Sequence, residues 1–62
     1  MTLDEQIKIA ESRIEEHKKA RESFIKEYEA TGSKFYANLA MLETKNIAEI
    51  NRAIVEVIVR KD

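Results

Sequence analysis

The sequence predicts an all-α fold, a two-helix antiparallel hairpin assembling into a homo-oligomeric helical bundle. Three observations carry this. The chain contains no proline and one glycine, Gly32, near its midpoint. On both sides of that glycine apolar residues recur at intervals of three and four, the spacing of one helix face. And 62 residues without cysteine have neither a disulfide nor enough interior to fold alone, so copies of the chain are expected to cover one another. The expected organisation is a single hairpin over 1–62, with a helix at 3–30, a turn at 31–33 and a helix at 34–60.

The first helix begins at a capping signal. Thr2 and Glu5 have capping-box spacing, and Asp4 and Glu5 place negative charge where the helix dipole favours it. Leu3, Ile7, Ala10, Ile14, Phe24 and Tyr28 then form a heptad-like seam. Between Ile14 and Phe24 the seam positions fall to His17 and Arg21. The opposite face is charged, with Glu15–Lys19 and Glu22–Lys26 at i,i+4 spacing. Ile9 and Ile25 stand off the seam, which points to a second neighbour for this helix.

Gly32 suits the left-handed residue that closes a helix, and Ser33 can cap the next one. The second helix starts apolar, from Phe35 to Leu42, turns polar over Glu43-Thr44-Lys45-Asn46, and resumes with Ile47, Ile50, Ala53, Ile54, Val57 and Ile58. Val55 and Val59 widen that stripe beyond what one partner helix covers. The β-branched run at the end has strand character alone, but it continues a helical stripe, and Arg60 and Lys61 suit a helix C-terminus.

Folding the arms at Gly32 pairs residues whose numbers total about 63, at a rise of about 1.5 Å each. His17 then falls near Asn46, and Arg21 near Leu42 and Glu43. The polar breach in each arm meets the breach in the other, about 15–20 Å below the turn. Such a layer serves either as a register device or as a polar ligand pocket between helices.

The chemistry absent from the sequence is informative. With a net charge of -1, the chain lacks the basic excess of a duplex-binding protein. One histidine and no cysteine build no zinc site within one chain, and no cofactor is expected. No glycine-rich phosphate loop or catalytic triad appears, so the reading is non-enzymatic. The longest apolar run, 53–59, contains Glu56 and is too short to span a bilayer. A cytoplasmic location is expected. Basic residues gather loosely around the turn and beyond it (Lys19, Arg21, Lys26, Lys34, Lys45, Arg52), with Tyr28, Phe35 and Tyr36 among them. Cations beside aromatic rings hold phosphates and stack bases. The opposing reading is that the rings are core and the lysines solvated.

Lys19-Ala20-Arg21-Glu22, the turn at Thr31-Gly32, the pair Ser33-Lys34, and Ile47, Ile50, Asn51, Arg52, Ala53 and Ile54 occur in an order and spacing that resemble a known family. It is the helical hairpin domain of phage anti-CBASS and anti-Thoeris sponge proteins, and the resemblance covers roughly 14–58. It implies a homohexamer of interlocked hairpins in the host cytosol. Such an assembly binds cyclic oligonucleotide or cyclic ADP-ribose-type messengers at subunit interfaces and sequesters them without cleavage. It further implies Lys34 as the phosphate contact after the turn and Lys19 as a first-helix contact to another bound messenger. With these, Arg21, Tyr36 and Asn38 complete the expected ligand set. The chain departs from the family at Lys34, where arginine is frequent and bidentate. It also departs in the N-terminal extension, which carries a stacking aromatic in some members. Two other classes fit the same hairpin: a protein-interaction module of the secretion co-chaperone kind, and a Rop-like RNA-binding dimer.

Overall fold

A computed structural model describes residues 2–60. Two helices account for nearly all of them: α1 over Leu3–Thr31 and α2 over Lys34–Arg60. They pack side by side as an antiparallel hairpin. The expected Lys61 contribution to the helix end lies outside the described residues, whereas Arg60 occupies the last turn of α2.

Local chemistry explains each boundary. The Thr2 hydroxyl accepts from the Glu5 amide at 3.2 Å, satisfying one of the unpaired donors of the first turn. Gly32 closes α1 in the left-handed conformation at φ 70°, and its amide donates to the Tyr28 carbonyl at 2.7 Å. The Thr31 hydroxyl donates back to the Glu27 carbonyl, so α1 runs one residue further than the sequence predicts. The Ser33 hydroxyl accepts from the Phe35 amide at 3.3 Å and starts α2. The turn proper is therefore two residues, Gly32 and Ser33, rather than three.

The seam follows the heptad. Leu3, Ile7, Ala10, Ile14, His17, Arg21 and Phe24 are half-buried on α1, facing Tyr36, Glu43, Ile50 and Ile54 on α2. Among the described residues only Ala40 and Ile47 are buried. Tyr28 does not join the seam; it is exposed, as are Glu29 to Thr31. The two side-chain bonds across the seam bracket the register expected of a fold about Gly32, a total of 63: His17 with Glu43 totals 60 and Arg21 with Thr44 totals 65.

The result is a rod of 48 × 15 × 11 Å. Its radius of gyration is 14.5 Å, against about 10.6 Å for a globular chain of this length. No described helix is long and apolar enough to cross a membrane.

Candidate functional site

Two features of the rod bear on function: a polar layer in its middle, and apolar surface left open along its length.

The polar breaches of the two arms do meet, with partners different from those expected. The His17 ring nitrogen Nδ1 lies 2.5 Å from the Glu43 carboxylate, with the two side chains 33% and 18% exposed. Asn46, the partner expected for His17, is not its hydrogen-bond partner. Arg21 donates to the hydroxyl of Thr44, the residue after the expected Glu43, at 3.3 Å. The Thr44 hydroxyl in turn donates to the Ala40 carbonyl at 3.2 Å. His17, Glu43, Arg21 and Thr44 each have a partner within the chain, and no described side-chain donor or acceptor is buried without one. A satisfied, half-open layer of this kind fixes register. It leaves no orphaned group aimed at a ligand.

The five expected ligand residues do not converge within one hairpin. Arg21 and Tyr36 sit at half-buried positions of the seam. Lys19 and Asn38 each lie two residues from a seam position, about 200° around their helices, and are exposed, as is Lys34. At the turn, Phe35 is 63% exposed and meets Tyr36 edge to face, ring centroids 5.4 Å apart. Exposed Tyr28 is at the same end. The turn end thus presents aromatic surface beside Lys34, but no enclosed cavity. Lys34 and Asn38 are neighbours at i,i+4 on one face of α2, whereas Lys19 lies on the outer face of α1.

The i,i+4 pairs expected for Glu15–Lys19 and Glu22–Lys26 are absent among the described residues; their side chains stay solvated. The ion pair that does form along a helix is Arg52–Glu56, at 3.9 Å and well exposed, a geometry that contributes little.

Sequence reading missed a groove at the open end of the rod. It measures about 380 Å³ and lies between Leu3, Ile7 and Ala10 of α1 and Ile50, Ile54 and Val57 of α2. Its signal was present in the sequence: Ala10 opposite Ile50 and Ala53 leaves too little side-chain volume to fill the seam. Among the described residues no group of three histidine, cysteine or acidic side chains is placed to hold a metal ion.

Exposed apolar side chains extend well beyond that groove. Ile9, Ile25, Met41, Leu42, Val55, Val57, Ile58 and Val59 are all at least 40% exposed. A soluble monomer seldom leaves so many large apolar groups open. No protein-family model, curated protein or solved structure matches this chain.

Proposed function

We propose that this chain is a non-catalytic hairpin that assembles with copies of itself and sequesters a cyclic nucleotide-type messenger where the copies meet. The observation that carries the assembly is the apolar surface: Ile9, Ile25, Met41, Leu42 and Val55 to Val59 have no cover within one chain. The ligand half rests on the resemblance to the phage sponge hairpins and on the composition of the turn end. Lys34 follows the turn directly, and the exposed rings of Phe35 and Tyr28 supply stacking faces near it. Phosphate charge and a flat base are the two features such a cluster recognises. The separation of Lys19 from Lys34 and Asn38 on one hairpin is what a site shared between subunits requires. The hexamer implied by the resemblance would bring several turn ends together.

Isothermal titration against cyclic di- and trinucleotides and cyclic ADP-ribose isomers tests this. The expected result is binding by at least one ligand, with recovery of the ligand intact after denaturing the protein. Lys34→Ala is expected to weaken that binding about tenfold or more, the worth of one charge-assisted contact. No heat with any ligand at tens of micromolar protein would remove the messenger reading and leave the assembly reading standing.

A second reading is favoured by one observation. Val55, Val57, Ile58 and Val59 concentrate open apolar surface at the far end of α2, as a protein-docking hairpin would. A chain that is monomeric alone and monodisperse only with a protein partner would favour that reading.

A further inference from the structure

The self-assembly proposed above leaves open which face the copies share. The rod carries an excess of surface. It exposes 5078 Å², where a compact monomer of 7.2 kDa exposes about 4100 Å². The difference, roughly 1000 Å², exceeds the approximately 800 Å² that each partner contributes to a standard stable interface.

One stripe of α2 is suited to supply it. Ala37, Met41, Thr44, Ala48, Asn51, Val55 and Ile58 are spaced alternately four and three apart, a second heptad seam running the length of the helix. None is charged, in a chain that is 37% charged. All but Ala37 are exposed. The other outward rows of α2 are interrupted: one by Lys34, Lys45 and Arg52, another by Glu49, Glu56 and Arg60. The stripe lies about 100° around α2 from the seam that holds α1, the angle at the corner of a four-helix arrangement. The Thr44 hydroxyl is already engaged with Ala40 and Arg21, which leaves its methyl group for the stripe.

We infer that this stripe is a homotypic interface, on which α2 of a second copy packs parallel to the first. Ala37 and Ala48 let the helices approach, Met41, Val55 and Ile58 fill the contact, and Asn51 pairs with its own counterpart. A lone asparagine in such a seam fixes register and a two-stranded state. Charge selects the direction. On the flank that the stripe shares with α1, that helix carries Asp4, Glu11, Glu15 and Glu22, with Lys8 and Lys18 between them. A parallel second copy turns its own row of Lys34, Lys45 and Arg52 toward this flank. An antiparallel copy centred on Ala48 would instead place the two α1 helices side by side. Two flanks of the same net negative charge would then face each other.

This inference deepens the assembly reading and rests on it, so its test separates the two. Because the chain has no cysteine, single cysteines report unambiguously. Met41→Cys alone and Val55→Cys alone are each expected to give covalent dimers on mild oxidation of the whole chain. Ala48→Glu, on an exposed position away from the hairpin's own seam, is expected to raise the dimer dissociation constant about 100-fold or more by burying opposed carboxylates. Ser23→Glu, exposed on α1 and off the stripe, is expected to leave it within about threefold. Circular dichroism of each variant, at a concentration where the wild type is assembled, checks that the helices persist. Cross-linking only when the Met41→Cys and Val55→Cys chains are mixed would overturn the parallel arrangement. An oligomer indifferent to Ala48→Glu would overturn the stripe but not the assembly. A wild-type chain that light scattering finds monomeric at high concentration would overturn both.

Discussion

At the scale of single residues, the informative pair is His17 with Glu43. Both occupy seam positions where the heptad calls for apolar side chains, and each partly offsets the other's desolvation through one short contact. The pair is half-open to water, so its worth is modest. Glu43→Ala should lower stability by about 1 kcal/mol, read as a shift in the urea midpoint at fixed protein concentration. Replacing both residues with leucine should do the opposite and raise the midpoint, because apolar packing substitutes well for a polar pair of this kind. The same double variant should lose the unique register, visible as poorer dispersion of amide resonances. Sequence reading found that a polar layer exists and at what depth. It did not give the bonding partners, because Glu43 and Asn46 lie one helical turn apart on α2 and only side-chain packing selects between them.

At the scale of the elements, each helix end has a chemical cause. Gly32 is the clearest. A Cβ built there meets no atom within 4 Å, so nothing but the positive φ opposes a side chain. Gly32→Ala should therefore cost about 1–2 kcal/mol, the strain of a left-handed alanine, with no packing defect. Gly32→Asn should cost less. Thermal melts of the two variants at one concentration check the ranking. These termini were legible because caps are local: Thr2, Gly32 and Ser33 act on amides and carbonyls within four residues of themselves. The Glu15–Lys19 and Glu22–Lys26 pairs were equally legible as spacing and yet do not close, since two flexible, hydrated side chains gain little by meeting.

At the scale of the whole molecule, two helices make one seam and no enclosed centre. Ala40 at 9% and Ile47 at 8% exposure are as far inside as any described residue goes. The proposed assembly makes the fold depend on concentration. Dilution should lower the melting temperature steadily, because mass action couples folding to association. A melting temperature unchanged over a hundredfold dilution would mean that the lone rod is stable, against expectation. Ligand binding at shared interfaces should be coupled in the same way, so a ligand that fits should raise both the oligomer mass and the melting temperature.

The sequence by itself determined the two helices, the place of the bend, the face of each helix that packs, and the shortage of interior. All of these follow from short-range periodicity, from capping, and from chain length. Tertiary structure decided which residues of the two arms lie opposite each other. It put Glu43 rather than Asn46 on His17, left Tyr28 out of the seam, and opened the groove at the far end. Which side chains bond across a seam is a property of two surfaces in contact, and residues one turn apart on a helix present themselves on the same face; only packing the arms together selects among them.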